Sequence, residues 1–185
     1  DFLTQQIVHD MYELEKTVGV FFLEQKPKET AVLLAGKRAG KMFHVPDGAW
    51  TDEERKTALD EITAHDRIRL YDSFGVCEWD TVKANIEYMH HADGIEIFYI
   101  DHLTALATGQ GTDERVELER ITAAIAMLAK RLNVIITMVS HLATPEGKPH
   151  EEGGRVTIRH FKGSRAIGFW CHFMFGLERN QQAED

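Results

Sequence analysis

The chain has 185 residues, a length at which one domain buries roughly 70% of its extended-chain surface. Apolar residues are 43% and charged residues 28%, which excludes a disordered or collagen-like chain. Lys and Arg number 21 against 30 Asp and Glu, a net charge of -9 that excludes a histone-like or polybasic protein. Yet Arg155, Arg159, Lys162 and Arg165 fall in a stretch, 155–168, with no acidic residue. No run approaches the ~18 apolar residues of a membrane span, and residues 1–6 lack the basic and apolar regions of a signal peptide. Cys77 and Cys171 make neither a disulfide scaffold nor a zinc pattern, so a reduced, cytoplasmic interior is expected.

The elements alternate along the chain. Phe2, Leu3, Ile7, Val8, Met11 and Leu14 recur at helical spacing, so the chain opens inside a helix. A strand over 18–23 follows, then a helix whose first turn holds Pro27 and Glu29. Thr51 with Glu54 reads as a capping box, the hydroxyl and the carboxylate each satisfying a free amide. A strand over 67–71 precedes a helix that starts at Asp80 and ends near Gly94. The apolar run 95–100 is a third strand. The longest helix spans about 113–132, with Val116, Ile121, Ile125 and Leu128 assigned to one face. Strands over 134–139 and 171–177 complete the pattern. Such alternation predicts βαβ crossovers, hence an α/β fold with a mostly parallel sheet covered on both faces. The nearly continuous apolar strands at 95–100 and 134–139 suit that burial.

Ligands of open parallel sheets bind outside the carboxyl ends of the strands. Each predicted strand here runs into polar residues: Glu24-Gln25, Asp72-Ser73, Asp101-His102, Ser140-His141 and Glu178-Arg179-Asn180. Five such pairs in register make a site-like edge. Asp101 ends an apolar strand, as the Mg²⁺-holding aspartate of nucleotide hydrolases does, although a turn aspartate has the same local signature. Glu24 either orients and deprotonates an attacking water or favours the dipole of the Pro27 helix. His141 either hydrogen-bonds a terminal phosphate or is an ordinary strand-end histidine.

Other features carry less. The string 36–42, Gly36 to Met42, has one residue too few between its glycines for G-x-x-x-x-G-K-[ST] and follows a helix, so it is no phosphate loop. His90-His91 near Asp93 reads as a solvated helix end rather than a metal site, because adjacent helical side chains diverge. No G-x-S-x-G elbow supports Ser73 or Ser140 as a nucleophile. Trp50, Trp79 and Trp170 read as packing residues. Residues 141–154 have the composition of a long loop. In 155–165, basic and aromatic residues interleave with Gly and Ser. That pattern suits either contact with a single-strand phosphate backbone or a solvated basic loop.

Six ordered motifs resemble those of hexameric replicative DNA helicases of the DnaB and phage primase–helicase types, which have a RecA-like core. They are the stretch 22–30 around Glu24, Ile100-Asp101-His102-Leu103, the helix start 111–115, and Val139-Ser140-His141-Leu142. The fifth takes in the loop His150-Glu151-Glu152-Gly153 and the element 161–166, and the sixth is the ending 177–182. The resemblance implies that Glu24 activates water, that Asp101 holds Mg²⁺ through water, and that His141 couples the γ-phosphate to the DNA loop. It puts Ser140 with the nucleotide-binding residues, and Lys148, Arg159, Lys162, Gly163, Ser164 and Arg165 in the strand-contacting region. It also implies ATP or dTTP as nucleotide, 5′–3′ movement on single-stranded DNA, a ring hexamer, no membrane, and primase and polymerase as partners in a bacterial or phage-infected cell.

Relatives place a strand and a Walker A loop before the helix that opens this chain, and an arginine finger on strands past Asp185. Many carry Gly where Arg165 stands and Gln near Phe169. The expectation is therefore a single RecA-like core over 1–185, truncated at both ends and inactive alone. A non-catalytic RecA-like DNA-binding or scaffold module and a RecA-like recombination or repair ATPase are the alternatives.

Overall fold

A computed structural model of the chain describes residues 2–46, 48–73, 77–107, 113–143, 145, 147–161 and 165–178. Four strands, β1 (Val18–Phe22), β2 (Ile68–Leu70), β3 (Ile97–Asp101) and β4 (Ile135–Met138), pair in the order β2-β1-β3-β4. Every pairing is parallel. The register sets Phe22 of β1 opposite Asp101 of β3, and Ile100 of β3 opposite Met138 of β4.

Side chains alternate along β1 and β3, and both faces are buried. Phe21, Leu23, Phe98 and Ile100 face one core, whereas Val18, Val20, Phe22, Ile97 and Tyr99 face the other. The first core is closed by α4 (Trp79–Asp93), α5 (Leu103–Ala107) and α6 (Glu114–Leu132), with Ile167 from α7 (Arg165–Trp170). The second is closed by α1 (Phe2–Tyr12), α2 (Pro27–Ala39) and α3 (Asp52–Ala64). Gly19 is required by the close approach of a neighbouring ring: a Cβ there would sit 2.6 Å from Cδ1 of Phe98.

Helix ends follow local chemistry. Pro27 occupies the first turn of α2, where its missing N–H is no loss, and the Glu29 carboxylate accepts from Lys26 N at 3.0 Å. Thr51 Oγ1 accepts from Glu54 N at 3.2 Å, and Glu54 Oε2 accepts from Thr51 N at 2.8 Å, closing the capping box. Gly40 ends α2 with φ 66, which marks the string 36–42 as a helix terminus. The α4 helix begins at Trp79, one residue before Asp80, and stops at Gly94.

Two expectations are corrected. Residues 171–178 form no strand: Phe173, Phe175 and Leu177 are exposed, and Val156 N donates to the Glu178 carboxylate instead. An apolar alternating run needs a ladder partner, and this one has none among the described residues. Val116 is 59% exposed, because the buried stripe of α6 runs through Leu118, Ile121, Ile125, Leu128 and Leu132. Both cysteines are free thiols, and no helix among the described residues is long and apolar enough to cross a membrane.

A buried polar contact ties α1 to the sheet. Tyr99 of β3 donates to Oδ2 of Asp10 at 2.5 Å, and Gln6 Nε2 donates to the other carboxylate oxygen at 2.9 Å. Asp10 is 4% exposed and Tyr99 1%, so neither has water as an alternative. Burial first, and then the hydrogen bond to Asp10, push the Tyr99 phenol far above its ordinary value of 10.0. A raised folded value contributes stability below pH 10 that is lost as alkali ionises the unfolded phenol. Tyr99→Phe should therefore destabilise the fold by about 1–3 kcal/mol at pH 7 in urea unfolding. The difference from the parent should shrink above pH 10.

Candidate active site at the carboxyl edge of the sheet

The parallel register carries four strand ends to one edge. Glu24 stands two residues past β1, Asp101 closes β3 with His102 next, and Ser140-His141 stand just beyond β4. Two backbone bonds extend the pairing outward: Leu23 N to Asp101 O at 2.7 Å, and Val139 N to Ile100 O at 3.0 Å. Asp72 follows β2 at the far side of the same edge.

Glu24, His102 and His141 meet there. His102 Nε2 is 2.8 Å from Oε1 of Glu24, and the His102 and His141 rings lie with centroids 3.9 Å apart, tilted by 39°. His102 is buried, with 7% of its side chain exposed, while Glu24 is 62% exposed and His141 is exposed. Thr104 Oγ1 at 2.5 Å and Ala105 N at 3.2 Å both face Nδ1 of His102. A backbone N–H can only donate, so Nδ1 accepts and the ring proton of the neutral form sits on Nε2. That proton faces Glu24 but lies out of line for a good hydrogen bond.

Electrostatics separates the two carboxyls. The contact with His102 holds Glu24 below the ordinary glutamate range, with partial desolvation opposing it and the charges of His102 and His141 assisting. Asp101 moves the other way: burial raises it, as does the nearby Glu24 charge, and the two histidines only partly compensate. One edge thus carries two carboxyl groups shifted in opposite directions, a pattern common at functional sites. Among the described residues no hydrogen bond reaches the Asp101 carboxylate, and an unpaired, oxygen-only donor of this kind fits a hard dication such as Mg²⁺.

Glu24, Asp101 and His141 thus come together as the sequence expects. Glu24 faces His102, across the sheet edge, rather than the first turn of α2. Ser140 contributes no contact to the cluster; its hydroxyl meets only the His141 carbonyl, at 3.4 Å. His102 is the participant to which sequence reasoning assigns no role, although it names the pair Asp101-His102 at the strand end. His90 is a helix-end residue whose Nδ1 contacts Ile95 O at 2.9 Å.

The segment after His141 folds back on itself. Leu142 bridges Phe161 in antiparallel fashion, and Ala143 N donates to His160 O at 2.6 Å. Lys148, Arg155 and Arg159 are exposed, and none has a carboxylate partner among the described residues. Arg159, Phe161 and Met174 also line an open hollow of about 720 Å³. Lys162, Gly163 and Ser164 lie outside the described residues, as does the side chain of Arg165, the residue that opens α7.

This four-stranded parallel edge, with a carboxylate past one strand, an aspartate ending the next and a histidine past the third, defines a RecA-like α/β fold. No protein-family model matches the chain. A DNA helicase/primase of Enterobacteria phage T3 is 30% identical over 189 residues, an alignment covering 99% of this chain and 33% of that protein. Among solved structures, that of a DnaB-like replicative helicase and its interactions with primase superposes with a TM-score of 0.72 at 17% identity. It covers 91% of this chain and 41% of the other. The ATPase domain of G40P superposes with a TM-score of 0.73 at 18% identity, covering 91% of this chain and 61% of the other. The chain therefore has the RecA-like core fold of DnaB-like replicative helicases and is similar in sequence to a phage helicase/primase. It spans about a third of the length of that curated relative.

The tautomer of His102 is directly measurable. Nitrogen-15 NMR of the chelator-treated protein should show His102 Nδ1 unprotonated and Nε2 protonated. A protonated Nδ1 would contradict the assignment of Thr104 and Ala105 as donors.

Proposed function

We propose that the chain is the core of a replicative DNA helicase that couples nucleoside triphosphate hydrolysis to movement along single-stranded DNA. The observation that carries this reading is the convergence of Glu24, Asp101 and His141 on one sheet edge, in a chain similar to a phage DNA helicase/primase. Glu24, held ionised and open to solvent, orients a water and accepts its proton as the water attacks the terminal phosphate. Asp101 would hold Mg²⁺ through water, and the ion when bound would supply positive charge against the phosphates. Ser140 belongs to the same nucleotide-binding edge. These 185 residues contain no G-x-x-x-x-G-K-[ST] string, so on their own they are expected to hydrolyse almost nothing.

His141 couples the two halves of the machine. It hydrogen-bonds the terminal phosphate on one side and on the other leads straight into the Leu142–Phe161 bridge. A shift of His141 as the phosphate leaves would move that bridge, and with it the segment that carries Arg159. With Lys148, the side chains of Arg159, Lys162 and Arg165 supply cations for a strand backbone, and Gly163 and Ser164 belong to the same strand-contacting stretch of sequence. The net charge of -9 does not oppose this, because a few cations per subunit repeat around a ring hexamer while the acidic surplus faces outward. The nucleotide is ATP or dTTP. Primase and polymerase are the expected partners, in the cytoplasm of a bacterial or phage-infected cell.

In the full-length protein, Glu24→Gln should lower the hydrolysis rate by about 10²–10⁴-fold while nucleotide affinity stays within about twofold. Near-normal turnover would remove Glu24 from this role. Lys148→Ala and Arg159→Ala should weaken single-strand binding, each lowering the slope of log K against log salt by about 0.7 in fluorescence anisotropy titrations. Unchanged slopes would take both residues out of the DNA path. A fork substrate left intact despite robust DNA-stimulated hydrolysis would favour a recombination or repair ATPase instead.

A further inference from the structure

We propose that Glu24, His102 and His141 form a binding site for a borderline-soft transition-metal dication of the Zn²⁺ class, separate from the Mg²⁺ position at Asp101. The three residues come from the ends of three neighbouring strands, β1, β3 and β4, and one ligand atom from each lies within 4.8 Å of the other two. No other group of three or more His, Cys, Asp and Glu residues with this spacing occurs among the described residues.

The second observation is the state of His102. Its Nε2 is fully buried, has no aligned hydrogen-bond partner, and points into the cluster. His150 Nε2 is likewise buried without an aligned partner, but only His102 Nε2 stands among further metal-ligating side chains, where a ligand could satisfy it. Its other nitrogen is already fixed by Thr104 Oγ1 at 2.5 Å, the outer-shell contact that metal-bound histidines use to hold ring orientation.

The proton bookkeeping closes. Coordination needs the Nε2 lone pair, so the neutral ring carries its proton on Nδ1 and donates it to Thr104 Oγ1. Ala105 N–H, which would then face that proton, keeps the His102 carbonyl as its acceptor at 3.1 Å. The change is a tautomer shift, and no net proton is released.

Donor chemistry selects the ion. Two imidazoles and one carboxylate, with a fourth position open to water, make a Zn²⁺-type set; Mg²⁺ prefers an all-oxygen shell and keeps its waters. Tetrahedral bonds of about 2.0 Å set donors roughly 3.3 Å apart. Glu24 Oε1, now 2.8 Å from His102 Nε2, would draw back by about 0.5 Å, and His141 would turn its ring edge-on from its tilted position, both side chains being exposed. A bound ion would hold Glu24 away from the water it orients, and this consequence rests on the hydrolytic reading of Glu24.

The test is a Co²⁺ titration of the tag-free 185-residue chain without nucleotide, followed by visible absorption. The expected result is about one Co²⁺ per chain with the d–d bands of a four- or five-coordinate centre, displaced by Zn²⁺ but not by about a thousandfold excess of Mg²⁺. His141→Ala and Glu24→Gln, both at exposed positions, should each lower Co²⁺ affinity by about tenfold or more, with unaltered thermal melting. His91→Ala should leave affinity unchanged. Absence of Co²⁺ bands, displacement by Mg²⁺, or undiminished binding in both His141→Ala and Glu24→Gln would overturn the site. Because this readout needs no nucleotide, its failure is distinct from a failure of the hydrolytic role, which is read only from turnover.

Discussion

The pairing of β1 with β3 is the constraint on which the rest depends. It sets Phe22 opposite Asp101, so that Glu24 and His102 emerge side by side, and β4 adds His141 on the other flank. A slip of one residue would move the strand ends by about 3.3 Å and exchange the two faces of the sheet. Both faces are buried, so such a slip would bring the β1 and β3 side chains to the wrong cores. Gly19 reinforces the register, because only its bare backbone leaves room for the Phe98 ring. The geometry of the candidate site is thus inherited from packing several residues away from it.

Much of this was legible in the sequence. Apolar runs bounded by polar pairs locate four strands, and capping chemistry at Pro27, Thr51 and Gly94 locates helix ends to within a residue or two. Local signals failed where a property depends on partners. The run 171–177 has the alternation of a strand, yet a strand exists only in a ladder, and Phe173 and Phe175 are left 82% and 74% exposed. Val116 lies off the buried stripe of α6, because that stripe is set by what α6 packs against. Glu24 is ambiguous by itself, and His102, named in the strand-end pair Asp101-His102, gains a role only from what β1 and β4 bring to it.

The same edge explains how an acidic chain can be read as a DNA-handling motor. Charge averaged over 185 residues describes the surface as a whole. The chemistry sits in two small places, the carboxylate–histidine cluster and the cation-bearing segment that starts at His141. They are joined by a short path through the Leu142–Phe161 bridge. If the proposed roles hold, a change at the cluster would reach the cation-bearing segment through this bridge without a rearrangement of the sheet.

The central claim is that the β1–β3–β4 edge is where a nucleotide is hydrolysed. The most direct measurement is a structure of the full-length protein with Mg²⁺ and a non-hydrolysable nucleoside triphosphate. The account predicts the terminal phosphate on the carboxyl edge, facing Glu24, Asp101 and His141. A nucleotide bound elsewhere, with Glu24 still turned to His102 and the His141 ring still tilted against it, would contradict the account.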